Sequence, residues 1–154
     1  MILWQAAEFF KLLPPSGRVL GLDVGQTTIG LALSDGSRLI ASPLLTIERG
    51  KFRKDIGTLM KITGEYNVTG LVIGYPVNMD GSSGRRAQST RTFAGNLEKH
   101  MTLPMLLWDE RLSTMAVERA MLEADLSRAR RAELVDKLAA SYMLQGLLDN
   151  MRQA

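Results

Sequence analysis

The chain has no cysteine and a single histidine, His100, among its 154 residues. The lack of cysteine excludes disulfides, a thiol nucleophile and thiolate metal ligands, and a reducing compartment is the expected environment. The apolar runs are strand-sized, well short of the roughly 20 residues that a membrane helix needs, and the N-terminal stretch lacks the basic start of a signal peptide. These absences predict a cytoplasmic protein with no membrane partner.

The chain also has little excess of either charge, with 19 basic and 16 acidic residues and a net charge of +3. A charge this small permits a polyanionic partner without requiring one. Whether the chain binds a polyanion must therefore be judged from how its basic residues are distributed. The length suffices for one domain that buries about two thirds of the surface of its unfolded chain. We predict a helical extension over residues 1–15, ended by Pro14 and Pro15, and a single domain over residues 16–154.

The apolar periodicity changes once along the chain. Three segments rich in branched residues predict an antiparallel meander: Val19–Val24, Ile29–Leu33 and Leu39–Ile47. From Phe52 onward, helical spacing alternates with the apolar strands GLVIGYPV and PMLLWDE, and Ser127 can cap a last helix that runs to about Met151. This order predicts an α/β fold with a mixed five-stranded sheet flanked by helices, the layout of the ribonuclease H-like fold.

Acidic residues stand at three places in otherwise apolar surroundings. Asp23 interrupts the strand RVLGLDV, which the ribonuclease H-like fold places at the sheet centre, so its carboxylate must be either ionised and compensated or protonated. Asp109 and Glu110 end the strand LLWDE at the carboxyl edge, where open α/β sheets gather their sites, and one of the two can face the side of Asp23. Asp136 lies in the middle of an apolar helical stripe, whereas Asp149 falls on the opposite face and is expected to be solvated.

Two interpretations of these acids remain open. A buried aspartate such as Asp23 can simply tie a turn to backbone N–H groups, and its position alone does not distinguish this role from a functional one. Three carboxylates at a strand middle, a strand end and a core-facing helix position, however, match the needs of two magnesium ions. The combination therefore favours a metal site.

Four stretches carry a resemblance to a known family: LDVGQTTIGLALSD, VIGYPVNMDGSSGRRAQSTRTFA, WDERLST and LVDKLAASYMLQGLLD. In this order and at these separations they resemble the YqgF, or RuvX, family of ribonuclease H-like proteins, described as Holliday junction resolvases and as pre-16S ribosomal RNA nucleases. The resemblance runs from Arg18 to Asp149. It implies a hydrolase with a role in ribosome biogenesis, an endonuclease that matures the 5′ end of small-subunit ribosomal RNA.

The resemblance also implies which residues do the chemistry. Asp23, Glu110 and Asp136 would be the catalytic and metal-binding triad, with Asp23 bridging two Mg²⁺ or Mn²⁺ ions and each of the other acids helping to hold one. Two such ions support in-line displacement by an activated water. The substrate would be precursor ribosomal RNA or, alternatively, a branched DNA. Symmetric cutting of a four-way junction calls for a homodimer, whereas trimming one RNA strand needs only a monomer.

Basic residues cluster near the expected site, as do the polar residues of one loop. The first cluster is Arg85, Arg86 and Arg91, the second is Arg128, Arg130 and Arg131, and Arg111 follows Glu110. Positive charge at a helix N-terminus opposes the helix dipole, so a bound phosphate would relieve an unfavourable arrangement. Each cluster taken alone could be a solvated face, but two clusters beside one acidic site favour nucleic-acid binding. The loop residues Asn78, Asp80 and Gly81 can form a turn that closes over the site, and Asp80 or Asp109 could add to it.

One departure from the family pattern and two rival functions bear on this prediction. The turn after Asp23 carries Thr27 and Thr28 where the family usually has Lys or Arg, so a phosphate contact is expected to be missing or moved. The hairpin LDVGQTTIGLAL also resembles the phosphate-binding hairpin of actin-like kinases and ATPases, but those proteins need two such domains. A binding module that has lost catalysis is the other rival. Trp4 and Trp108 are expected in the core, and His100 on the surface.

Overall fold

The computed structural model describes residues 1–76, 84–109 and 128–153, and within the last range it describes side chains from 138 to 151. The strands are β1 Ile2–Leu3, β2 Arg18–Val24, β3 Thr28–Ser34, β4 Ala41–Glu48, β5 Val68–Tyr75 and β6 Met105–Asp109. The helices in these ranges are α1 Ala6–Leu12, α2 Phe52–Glu65, α3 Arg85–Glu98 and α4 Arg128–Gln153. None of these helices has both the length and the apolar character needed to cross a bilayer.

The described strands form one mixed sheet in the order β1-β6-β5-β2-β3-β4. β2, β3 and β4 pair antiparallel, which confirms the predicted meander, and β2, β5 and β6 pair parallel. The prediction of five strands was wrong by one, because Ile2 and Leu3 pair parallel with Met105 and Leu106. A strand of two residues is too short to show the alternation that identifies strands in a sequence. The segment from Ile2 to Leu13, predicted to be all helix, is therefore a short strand followed by α1.

Alternation along β2 divides the core into two layers. Leu20 and Leu22 point to the layer of α2 and α3, where they are fully buried with Leu71 and Ile73. Val19 points to the layer of α1 and α4. Because successive strand residues face opposite sides, Gly21 and Asp23 belong to the α4 side as well. Asp23 therefore lies on the sheet face that α4 covers.

Glycines let the helices of this second layer approach the sheet closely. A Cβ at Gly70 would lie 2.8 Å from Cζ of Phe9 in α1, so this helix packs directly on the β5 backbone. A Cβ at Gly21 would lie 3.2 Å from Cβ of Leu144 in α4. Phe9 and Leu144 are both fully buried. The N-terminal segment thus shares the core of the sheet, and the domain boundary between residues 15 and 16 stays a prediction.

The structure confirms helix α2, but the residues on its buried face differ from those predicted. The helical spacing of the sequence predicts one face made of Phe52, Ile56, Leu59, Met60 and Thr63, and of these Ile56 and Leu59 are buried. Met60 is 50% exposed, which contradicts the prediction. Asp55 is buried instead, and its carboxylate accepts hydrogen bonds at 3.2 and 3.3 Å from the Gly50 N–H. A buried acid that satisfies a backbone donor costs little.

Candidate functional site

Asp23 occupies the carboxyl end of the central strand β2. It pairs with Gly30 of β3 and is only 9% exposed. Its Oδ1 atom lies 3.4 Å from Nη2 of Arg86, in the first turn of α3, and the two side chains form an ion pair. A carboxylate this buried needs a nearby positive charge or hydrogen-bond donors to stay ionised. Arg86 supplies such a charge, so the sequence prediction that Asp23 requires compensation is supported.

A cavity of about 320 Å³ opens beside this ion pair. Its lining residues come from the turn after β2 and from the first turn of α3: Val24, Gly25, Gln26, Arg85, Arg86 and Ser89. Two arginines on one wall give it a positive character. At roughly 30 Å³ for each water molecule, the cavity has room for about ten waters or for a hydrated phosphate group.

The β2–β3 turn is held in place by Arg49, which the sequence analysis did not single out. Arg49 Nη1 donates a 2.7 Å hydrogen bond to the Gly25 carbonyl, and its backbone N–H donates to the Thr27 carbonyl at 2.8 Å. Its Cζ lies 5.4 Å from the centre of the Phe93 ring. The turn that lacks basic residues at Thr27 and Thr28 therefore has a guanidinium beside it, which arrives from the end of β4. Only the pairing of β3 with β4 brings Arg49 here, so local sequence carries no signal for it.

The alternation along β6 separates its two terminal acids. Met105 and Leu107 belong to the core on the α2 and α3 side, whereas Leu106 and Trp108 face the α4 side. Asp109 therefore falls on the α3 side, away from Asp23, and it is exposed. Asp109 thus does not share a sheet face with Asp23.

The structure pairs Asp23 with Arg86, which lines a cavity together with Arg85, but it does not test the rest of the predicted site. Asp136, Arg128, Arg130 and Arg131 lie in α4, and their side chains are outside the described residues. The remaining predicted site residues lie wholly outside the described residues: Asn78, Asp80, Gly81, Glu110 and Arg111. Among the residues that are described, no three His, Cys, Asp or Glu side chains group closely enough to hold a metal ion. The triad as a whole stays a prediction.

Asp149 was expected to be a solvated charge on the far face of the last helix, and this expectation was wrong. It is half-buried, and its Oδ1 accepts a 3.0 Å hydrogen bond from Nε2 of Gln145. Gln145 also bonds the Ala41 N–H at 2.8 Å and the Leu39 carbonyl at 3.0 Å. Helix α4 packs across β3 and β4, so the side of the helix that carries Gln145 and Asp149 lies near the β3–β4 hairpin and not in open solvent.

Arg91 and Trp4 meet at Tyr75, the last residue of β5. Arg91 donates a hydrogen bond from Nη1 to the Tyr75 hydroxyl, and the Trp4 ring lies edge-on to the Tyr75 ring, with the centroids 5.1 Å apart. Trp4 is 51% exposed, so its predicted place in the core was wrong, whereas Trp108 packs against the α4-side core. His100 is exposed after the end of α3, as predicted.

Comparison with solved structures defines the fold. T. thermophilus RuvC in complex with a Holliday junction superposes with a TM-score of 0.56 and 15% identity, over 90% of this chain and 98% of that chain. The large terminase nuclease of the thermophilic phage G20c superposes with a TM-score of 0.50 and 11% identity, over 84% of this chain and 82% of that chain. The predicted ribonuclease H-like fold is therefore confirmed.

Comparison of sequences defines the family. The family model described as "RuvX: Holliday junction resolvase" matches residues 17–150. A protein of Cereibacter sphaeroides ATCC 17025 is 56% identical over 151 residues, 98% of this chain and 94% of its own. A protein of Rhodobacter capsulatus is 60% identical over 144 residues, 94% of this chain and 91% of its own. Both carry the name "Putative pre-16S rRNA nuclease". The chain belongs to the RuvX family.

Proposed function

We propose that this chain is a divalent-metal-dependent endonuclease that hydrolyses phosphodiester bonds at the 5′ end of precursor 16S ribosomal RNA. The observation that carries the proposal is the buried Asp23 carboxylate beside a cavity with Arg85 and Arg86 on its wall. The name shared by relatives at 56% and 60% identity supports the choice of RNA. Such an enzyme works where ribosomes are assembled, in the cytoplasm.

The donor chemistry at Asp23 suits Mg²⁺ or Mn²⁺, because both ions prefer carboxylate oxygens. We assign Glu110 as a second ligand, because Asp109 falls on the sheet face away from Asp23 and Glu110 is the other acid at the end of this apolar strand in the sequence. When bound, two ions would supply an activated water and stabilise the leaving oxygen. The protein's part is to hold the three acids and to orient the substrate.

Asp136 is the third ligand of the proposal. The stripe that it shares with Ala139, Ala140 and Met143 is buried on the sheet, and a Cβ at Gly21 would lie 3.5 Å from Cε of Met143. Residue 136 precedes Met143 by about two helical turns, roughly 10 Å along the helix axis. Asp23 follows Gly21 by about 7 Å along β2. We therefore expect Asp136 of α4 and Asp23 of β2 to lie on the same side of the contact between Met143 and Gly21.

Arg85 and Arg86 are proposed to receive the substrate backbone. A guanidinium binds phosphate oxygens with parallel N–H donors, and contacts of this kind fix the register of a nucleic acid without reading its bases. Arg86 is suited to this because its side chain is 55% exposed even though it reaches Asp23. A cation held by Asp23 would compete with Arg86 for this carboxylate and would leave the guanidinium to a phosphate at the cavity.

Branched DNA is the second candidate substrate, favoured by the description of the family model, which names a Holliday junction resolvase. A junction is cut on two strands related by symmetry, so this function would require a homodimer. The RNA function requires only a monomer. A binding module without catalysis would keep the arginine-lined cavity and lose cleavage.

One experiment separates these functions. Wild type and Asp23→Asn are incubated with Mg²⁺ or Mn²⁺ and with a precursor 5′-leader RNA and a four-way DNA junction side by side. We expect metal-dependent cleavage of the RNA by wild type, its loss on chelation, and its loss in Asp23→Asn with the circular dichroism spectrum unchanged. Cleavage of the junction alone would select the resolvase. Binding without any cleavage would select the binding module.

A further inference from the structure

Trp4 presents an indole to solvent from a fixed position. Its segment joins β1 to α1, and β1 is held on the sheet by pairing with β6 and by a 2.9 Å hydrogen bond from the Met105 N–H to the Met1 carbonyl. The Tyr75 ring supports the indole at an interplanar angle of 87°. An aromatic ring that is already ordered loses little conformational entropy when it binds a partner.

Trp4 lies at the same edge of the sheet as Asp23, and one cation, Arg91, contacts the Tyr75 ring that supports the indole. Arg91 bonds the Tyr75 hydroxyl and holds its Cζ 5.9 Å from the Tyr75 ring centre. Tyr75 ends β5, the strand next to β2, where Leu22 pairs with Ile73. Strands are about 4.8 Å apart, so the three spacings from β2 to β1 amount to about 14 Å. A few nucleotides of single strand, at about 3.4 Å each when stacked, cover that distance.

We propose that Trp4 is a stacking platform for an unpaired base of the substrate strand, a few nucleotides from the scissile bond, with Arg91 beside the phosphate of that nucleotide. The proposal rests on the proposed nuclease function for its partner. Every base has a flat π-face that can stack on an indole without regard to sequence, and a nearby arginine adds a charge contact. In a duplex the base faces are covered by neighbouring pairs, so the platform selects single strands. It gives the N-terminal segment a role in substrate choice.

The test measures binding in chelator, where no strand is cut. A fluorescent single-stranded 5′-leader RNA and a blunt duplex of the same sequence are titrated with wild type, Trp4→Ala and Trp4→Phe. The matched control is Tyr142→Ala, which removes an aromatic side chain of α4 that is 42% exposed. We expect Trp4→Ala to weaken single-strand affinity about tenfold and Trp4→Phe to retain most of it. The duplex affinity of the Trp4 variants should change less than about twofold. The single-strand affinity of Tyr142→Ala should also change less than about twofold.

A second readout is the indole fluorescence itself. The chain has two tryptophans, so in a Trp108→Phe background the emission reports Trp4 alone, and we expect single-stranded RNA to quench it. Equal weakening of single strand and duplex by Trp4→Ala, or no weakening at all, would overturn the platform. If wild type is a dimer, and Trp4→Ala dissociates it without changing RNA affinity, then the exposed face of Trp4 binds a second copy of the chain instead. If wild type neither binds nor cuts RNA, the proposed function fails; if it does both and Trp4→Ala matches it, only the platform fails.

Discussion

The Arg86 guanidinium lies 3.4 Å from the Asp23 carboxylate, and the two side chains differ greatly in exposure, 55% for the arginine and 11% for the acid. Arg86 can exchange the pair for contacts with water, whereas Asp23 has little contact with water. The pair thus holds the buried charge when nothing else neutralises it. A cation at Asp23 and a phosphate at Arg86 would each replace one half of this contact.

Replacing Arg86 by alanine should have opposite effects on the empty and the metal-loaded protein. Without metal, Asp23 loses a countercharge, and we expect stability to fall by about 1 kcal/mol, a modest loss because Arg86 is largely exposed. With Mg²⁺, the competing guanidinium is gone, so half-maximal stabilisation should occur at a lower Mg²⁺ concentration. Thermal melts across a Mg²⁺ titration measure both effects. Arg85→Ala is the control, and equal behaviour of the two variants would contradict the prediction.

Asp136→Asn distinguishes a metal ligand from a structural aspartate. If Asp136 joins Asp23 and Glu110, the metal-free protein holds acids that repel one another, so the substitution should leave its stability unchanged or raise it by about 1 kcal/mol. The stabilisation by Mg²⁺ and the cleavage activity should both disappear. Asp149→Asn is the matched control on the same helix, since asparagine keeps an oxygen that can accept from Gln145. A destabilised Asp136→Asn that still responds to Mg²⁺ and cuts RNA would remove Asp136 from the site.

The Arg85→Ala/Arg86→Ala double variant should bind every RNA sequence more weakly. Each lost phosphate contact should reduce the slope of log affinity against log salt by about 0.7 for a single strand. Affinity measured at four or five salt concentrations, in chelator, gives the slope. Exchange of the exposed Arg53 and Lys54 of α2 for alanine is the control and should leave it unchanged. A slope equal to that of wild type would make the α3 arginines an ordinary solvated face.

The hydrogen bonds to Asp35, in the β3–β4 hairpin, should make the free energy of unfolding fall slightly in acid. The Ser37 hydroxyl donates to its carboxylate at 2.7 Å, and with the N–H groups of Ile40 and Leu39 it lowers the pKa of Asp35 to about 2. Because the folded pKa lies below the unfolded value near 4, this stabilisation is complete above about pH 4 and is lost as the pH falls toward 2. Solvent screening at this exposed site keeps it below about 1 kcal/mol. Urea midpoints at pH 5 and pH 2.5 should differ less in Asp35→Asn than in wild type.

The periodicity of the sequence was sufficient to predict the main sheet and its flanking helices. Strands β2 to β6 and helices α2, α3 and α4 each have several apolar residues at the spacing of their own element. The pair Ile2–Leu3 has no period to detect, and its strand exists only because β6 offers an open edge. The exposure of Trp4 follows from the same pairing, since it fixes where the chain turns into α1.

Site residues could be predicted where a charged residue stands in an apolar stretch of sequence. They were missed where their contacts are distant in sequence. Asp23 is conspicuous as an acid in an apolar strand, and its burial follows from its central position. Arg49 is unremarkable in the sequence, and it reaches Gly25 only through the pairing of β3 with β4. Placing Asp109 on the α3 side required knowing which core each of its neighbours on β6 joins. Such information exists only once the layers are assembled.

If β2 and α4 carry the proposed metal ligands, the close contact at Gly21 bears on which ion fits between them. Leu144 rests nearly on the β2 backbone there, so the height of α4 above the sheet is set by a residue without a side chain. For the proposed ligands Asp23 on β2 and Asp136 on α4, this height would help to set the distance between the two carboxylates. Mg²⁺ demands oxygens at about 2.0–2.1 Å in near-octahedral order, whereas Ca²⁺ accepts about 2.3–2.6 Å and looser geometry. A methyl group at residue 21, which touches no ion, would lift the helix by a few tenths of an ångström and tilt the selectivity toward the larger cation.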